Sequence, residues 1–322
     1  MTLSDFALVR PADVESAVAA RRDHPQSRYV AGGTDLLVNM RHGIDGAAQL
    51  IDLSGIEELT CVKATLAGLR IGAGVKLGAL ARLPLIAERY RAVGEAATAV
   101  AGPGHRALGT VGGNLCLDTR CVYYNQSEWW RQANGYCLKH RGDICHVAPQ
   151  GQRCHAAFTG DLAPALLALG AEVEIVGAAG RRRCPLAELY VEDGRAHLAL
   201  APDELVATVL LPPDPAPSAY GKVRVRGAID YPLAGVAVAL SVADGVAQRL
   251  RIALTGTNSR PIVLAGTDAL IGRPVDEKAL HEIERLVQKQ VQPMRTTVAS
   301  AQYRRLAAAG LARRLVASLA AS

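Results

Sequence analysis

The apolar positions of this chain recur with two periods, and the switches between them mark its elements. In 11–23, Pro11 suits a first helical turn, Ala12 or Asp13 opens the helix, and Val14, Ala17 and Val18 form its apolar stripe after a short extended entry. Tyr29, Val30 and Ala31 read as a strand, Gly32 and Gly33 as a tight turn, and Thr34 or Asp35 as the cap of a helix that Gly43 stops. QLIDL (49–53) and GLRIGAGV (68–75) read as strands, and 77–101 as a long helical tract. EVEIVGAAGRRRCPLAELYV (172–191) predicts a hairpin about Gly177 and Gly180 and then a helical turn, and ELVATVLL (204–211) a strand closed by Pro212 and Pro213.

PPDPAPSAY (212–220) is the best boundary in the chain, giving domains over 1–213 and 214–322. Beyond it, 222–264 alternates as two or three buried strands with a turn at 243–245. Two helices follow. One over 276–291 places Leu280, Ile283, Leu286 and Val287 on one face. The other, over 299–319, places Tyr303, Leu306, Leu311, Leu315 and Leu319 inward and Arg304, Arg305, Arg313 and Arg314 toward water.

Half of the 322 residues are hydrophobic, enough for a substantial core. No apolar run reaches the ~18 residues of a membrane span, and 1–23 lacks a secretory layout, so the expectation is a soluble protein of the cytoplasm with no membrane partner. The net charge of +6 is dispersed and aromatics are scarce; this describes a solvated basic face, or a docking surface for an acidic protein, rather than a nucleic-acid binder.

The glycine turn at 32–33 is a candidate phosphate cradle, because backbone N–H groups without partners point outward where a strand turns into a helix. Alone, such a turn is more often plain turn chemistry, and it is not a G-x-G-x-x-G fingerprint. A second turn, TVGGN at 110–114, strengthens the reading: two such turns can grip the two phosphates of a dinucleotide from opposite sides. His105 between Gly104 and Arg106 is a candidate contact, with simple solvation as the alternative.

Seven cysteines, an odd number in a chain with no export signal, argue for reduced thiols rather than disulfides. Cys121, Cys137, Cys145 and Cys154 are separated by fifteen, seven and eight residues in a polar tract that also holds both Trp residues and reads as an inserted loop over about 118–157. Four thiolates on one centre suit an iron–sulfur cluster or a structural zinc, and the spacing decides neither. Cys116 belongs to the segment after the second glycine turn, and Cys61 and Cys184 read as small packing residues. Trp129, Trp130 and Tyr124 read either as a shield for the metal or as the loop's own small core.

AGGTDLL (31–37), TVGGN (110–114), GDLAPALLAL (160–169) and KVRVRGAIDYPLAGVAVAL (222–240) together resemble, in order, the motifs of the FAD-binding medium subunits of the molybdenum hydroxylase (xanthine dehydrogenase) family. The inserted tract, with its four cysteines and NQSEWWR, is similar to that of the 4-hydroxybenzoyl-CoA reductase branch, which holds a 4Fe-4S cluster. The resemblance implies an α+β fold: a two-lobed PCMH-type (vanillyl-alcohol-oxidase-like) FAD domain, then a C-terminal domain of a small antiparallel sheet with helices. It implies that Ala31, Gly32, Gly33, Thr34 and Asp35 hold one part of the FAD pyrophosphate and Thr110, Gly112, Gly113 and Asn114 the other. Asp161, Lys222 and Val206 would lie at or near the cofactor, and Cys121, Cys137, Cys145 and Cys154 would bind the cluster.

It also implies partners: a molybdenum-pterin large subunit, a small subunit with two 2Fe-2S clusters, ferredoxin as donor, and a heterotrimer that dimerises. The chain itself shows no Ser-His-Asp set, carboxylate pair or P-loop, so its expected role is electron transfer, with the substrate held elsewhere. Low-potential electrons entering through a four-thiolate cluster fit reductive removal of a phenolic hydroxyl from 4-hydroxybenzoyl-CoA. The alternatives are an oxidising complex for a purine, aldehyde or N-heterocycle, and a redox-silent zinc with His146 and His155 in reserve.

Overall fold

The computed structural model describes residues 5–321. Three sheets carry the architecture. A small parallel sheet has the order β1 (Ala7–Val9), β3 (Gln49–Asp52), β2 (Arg28–Val30). Helix α1 (Val14–Asp23) joins β1 to β2; the Asp13 side chain caps it by accepting from Ser16 N–H at 2.7 Å, and Val14, Ala17 and Val18 are buried as the stripe predicts. Ala31 lies just past β2, in the turn that leads to α2 (Leu36–Arg41).

The second sheet is antiparallel, in the order β4 (Val62–Thr65), β5 (Gly68–Gly72), β8 (Leu205–Leu211), β6 (Glu172–Gly177), β7 (Gly180–Pro185). The expected long helix over 77–101 is three: α3 (Leu77–Leu80), α4 (Pro84–Arg89) and α5 (Arg91–Ala99). Pro84, lacking an N–H, can only begin a helix here, and Tyr90 leaves helical geometry so that its buried ring can reach Pro212 O at 2.7 Å. Helices α6 (Pro103–Leu108), α7 (Val111–Leu115), α8 (Glu128–Ala133) and α9 (Leu162–Ala168) follow; all seven residues of α9 are buried, at the centre of the largest core.

The third sheet, β9 (Ser218–Val223), β10 (Ala234–Ala243), β11 (Val246–Thr255) and β12 (Ile262–Val263), is antiparallel in the order β12, β11, β10, β9. One face contributes Ala237, Ala239 and Ala253 to the core around α9; the other is covered by α10 (Glu277–Gln290) and α11 (Ala301–Ala320). Helix α11 corrects the helical-wheel reading. Arg304 is buried, its guanidinium donating to the carbonyls of Leu233, Met294 and Gly256, while Tyr303 and Leu306 are exposed. Three unpaired carbonyls gathered at one point make a better site for that side chain than water does.

Cys184 is buried as expected, whereas Cys61 is exposed beside the carbonyl of Glu57 and packs no core. No helix among the described residues is long and apolar enough to cross a membrane.

Candidate functional site

The two glycine turns meet backbone to backbone. A Cβ on Gly32 would lie 2.2 Å from the Leu108 carbonyl oxygen, and Gly33 has φ +68°. Only glycine permits both the approach and the dihedral. On the other side, Val111 N–H donates to Val75 O at 3.0 Å and Gly112 N–H to Ala73 O at 2.7 Å, while Thr110 caps α7 through Gly113 N–H. The N–H groups of Gly32, Gly33, Thr34 and Asp35 donate to no backbone carbonyl, which leaves a row of donors for an anion.

These turns line a cleft of about 700 Å³, together with Ala31, Asn114, Asp161, Val206, His105, Arg226 and 229–231. Asn114 Oδ1 accepts from Leu162 N–H at 3.0 Å, and a Cβ on Gly160 would come within 2.5 Å of Asn114 O, so the second turn also seats the GD motif. Asp161 is buried in the cleft wall: Tyr220 donates to Oδ1 at 2.6 Å and Lys222 Nζ to Oδ2 at 3.0 Å. Burial raises the Asp161 pKa, against the pull of Lys222 and the Tyr220 hydrogen bond. Lys222 stands behind Asp161 rather than in the cleft lining, and also donates to Ala99 O at 3.1 Å.

Sequence reasoning missed two residues here. Thr159 Oγ1 and Asn39 Oδ1 are buried, have no hydrogen-bond partner and belong to residues lining the cleft. Unpaired buried acceptors beside a cavity are what a polar ligand would satisfy. Thr159 precedes Gly160, and Asn39 stands one helical turn after Asp35, so both positions follow from the motifs once the fold is known.

The cysteine tract leaves the fold between Leu117 and Phe158 through a narrow neck, where Arg120 and Ala157 exchange backbone hydrogen bonds of 2.8 and 2.7 Å. Cys121, Cys137, Cys145 and Cys154 all line one small cavity of about 10 Å³, together with His146 and Lys139; Cys116 lines the large cleft instead. Among the described residues no three His, Cys, Asp or Glu side chains are gathered closely enough to hold a metal ion. Burial pushes the Cys121 thiol up to about 11 and the Cys154 thiol up to about 12, so both are neutral near pH 7 without a cation.

The loop's core is Tyr124 with Ile44 and Cys137, whereas Trp129 is 75% exposed and neither shields the cavity nor packs. Arg131 fixes the loop: its buried guanidinium donates to the carbonyls of Gln126, His42 and Gly43 and pairs with Glu128.

Comparison with known proteins identifies the scaffold. The family described as the FAD binding domain in molybdopterin dehydrogenase matches residues 4–214, and the CO dehydrogenase flavoprotein C-terminal domain matches residues 218–319. The chain belongs to this family of FAD-binding subunits. The aldehyde oxidoreductase FAD-binding subunit PaoB of Escherichia coli (strain K12) is 34% identical over 80% of this chain and 83% of that protein. The carbon monoxide dehydrogenase medium chain of Afipia carboxidovorans is 26% identical over 98% of this chain and 97% of its own length. A solved Cu,Mo-CO dehydrogenase chain superposes with a TM-score of 0.82 at 25% identity, over 100% of this chain and 99% of that one. The α+β fold, an FAD-binding domain followed by a small antiparallel sheet with helices, is that of the family, whose members are oxidoreductase subunits.

Proposed function

We propose that this chain is the flavin-carrying electron-transfer subunit of a molybdenum hydroxylase-type complex, in which the cysteine loop adds an iron–sulfur cluster beside the flavin. The observation that carries the reading is the placement of four cysteines, three buried and Cys121 half-buried, around one cavity, on a loop that leaves the fold from the wall of the flavin cleft. The N–H groups of Gly32, Gly33, Thr34 and Asp35 are suited to hold the anionic oxygens of the FAD pyrophosphate, with the turn at Thr110, Gly112, Gly113 and Asn114 opposite. Asp161, fixed by Lys222 and Tyr220, would accept a hydrogen bond from the cofactor, as Thr159 and Asn39 would. Bound FAD exchanges electrons singly or in pairs, which suits it to a place between one-electron carriers and two-electron chemistry.

A 4Fe-4S cluster needs its thiolates spread around a space. A single Zn²⁺ with Zn–S bonds of ~2.3 Å would instead draw them to within about 4 Å of one another. The four cysteines that line one cavity, Cys121, Cys137, Cys145 and Cys154, support a shared metal centre, and metal and sulfide analysis separates the cluster from zinc.

In this reading a molybdenum-pterin large subunit performs the chemistry, and a small subunit with two 2Fe-2S clusters links it to the flavin. The names of the relatives favour an oxidising complex for an aldehyde, purine or similar substrate. The cysteine loop supports a second reading, reductive dehydroxylation of 4-hydroxybenzoyl-CoA with ferredoxin as donor, because four-thiolate clusters reach potentials low enough for it.

The purified complex tests both. About four iron and four sulfide per copy beyond the share of the small subunit are expected, and Cys137→Ser should lose most of them while Cys61→Ser keeps them. One zinc without the extra sulfide would refute the cluster. Benzoyl-CoA formed with reduced viologen would select the second reading, and aldehyde or purine oxidation the first.

A further inference from the structure

The cysteine cavity and the flavin cleft share a wall, and one ion pair spans it. Lys139 lines the cysteine cavity, Asp118 lines the cleft, and Lys139 Nζ lies 2.6 Å from Asp118 Oδ1. The lysine side chain is only 6% exposed, and its other donors go to the carbonyl oxygen and hydroxyl of Thr119. It also sits 4.5 Å from the centre of the Tyr124 ring, on the floor of the loop's core. On the cleft side, Asp118 N–H donates to Asp35 Oδ2 at 3.1 Å, and Asp35 pairs with Arg120, the residue before Cys121. A chain of charges therefore runs from the first glycine turn to the thiols.

We propose that Lys139 is a positioning residue that sets the electrostatic potential of the cysteine cavity, its buried ammonium favouring the reduced state of the redox group held there. The inference rests on the cluster reading above. Adding one electron from an external low-potential donor adds one negative charge to the cavity and breaks no bond. A cation held nearby, with little solvent to screen it, stabilises that added charge. Pinning the loop to its neck would by itself need only a hydrogen-bond donor, whereas a buried ammonium also carries a field into the cavity.

The test is a redox titration of the whole complex, followed through the magnetic-resonance signal of the loop's cluster, with iron and sulfide counted first. At the potential that half-reduces the wild-type cluster, Lys139→Met should lower the reduced-to-oxidised ratio about tenfold, equal to 59 mV for a one-electron couple, and Lys139→Arg should restore most of it. Asp118→Asn, which keeps the acceptor oxygen but removes the compensating charge, should move the midpoint the other way. A full cluster with an unmoved midpoint in Lys139→Met overturns the proposal and leaves the cluster reading standing. If Lys139→Met loses its cluster, an unmoved midpoint in Asp118→Asn overturns it instead. A wild-type complex without the extra iron and sulfide overturns both.

Discussion

At the flavin cleft the contacts that admit no change are backbone to backbone: Gly32 against the Leu108 carbonyl and Gly160 against the Asn114 carbonyl. Across the shared wall, in the cysteine loop, the same tasks fall to side chains. The loop has one short helix, α8, and a neck of two hydrogen bonds, so its shape depends on buried charged groups, Arg131 and Lys139, that reach back to the main chain. A site made of backbone tolerates varied side chains provided the glycines remain. A loop without a sheet or a long helix must satisfy its many carbonyls some other way, and a buried arginine with five donors does that for several at once.

The sharpest break of this contrast is Gly32→Val. Its side chain would meet the Leu108 carbonyl at the end of α6, so the two turns must part. Purified protein should carry less than about a tenth of the wild-type FAD by visible absorbance, if it folds at all. Full flavin content in this variant would show that the two turns need not touch.

Next in size is Arg131→Met, which removes the donors to Gln126, His42 and Gly43 while keeping an apolar stem of similar length. Leaving several buried carbonyls unpaired costs about 3 kcal/mol or more, spent locally in the loop. Limited proteolysis should then cut within 118–157 far faster than in the wild type, with FAD retained. Loss of FAD without faster cleavage would mean that the loop and the cleft are one unit.

The glycine turns, the α1 stripe and the four-cysteine tract were legible because each is a local pattern: a residue type at a fixed spacing whose reason lies within a few positions. The buried arginines were not. Arg304 sits among other arginines on a helix, and what makes it internal is three carbonyls from 233, 256 and 294, a convergence only the tertiary fold creates. Lys139 and Arg131 are similar, since the partners of Lys139 lie at the neck and Arg131 reaches two carbonyls just past the end of α2. The break of the 77–101 tract was partly legible, in Pro84, and partly not, because Tyr90 turns toward a proline more than a hundred residues away. Motif position found Asp161, but its partnership with Tyr220 awaited the packing of β9 against α5 and α9.

The smallest expected effect lies where the two regions join. His197 is buried at the neck, its Nε2–H donating to Leu117 O at 3.0 Å and its ring 5.8 Å from that of Phe158, so it holds both stems of the loop. Burial depresses its pKa to about 4. The folded protein therefore keeps this imidazole neutral while the unfolded chain, near 6.5, takes up a proton first. The stability His197 contributes is complete above pH ~6.5 and is lost as pH falls toward 4, by at most about 3 kcal/mol. Thermal unfolding of the wild type should show a falling Tm across that window, and His197→Gln, which can still donate to Leu117 O, should flatten the slope there while losing some Tm near pH 7. If cleavage within the loop rises over the same window as Tm falls, the neck opens ahead of the cleft; if loop and flavin are lost together at every pH, the contrast between a backbone-built site and a side-chain-built loop is one of construction and not of stability.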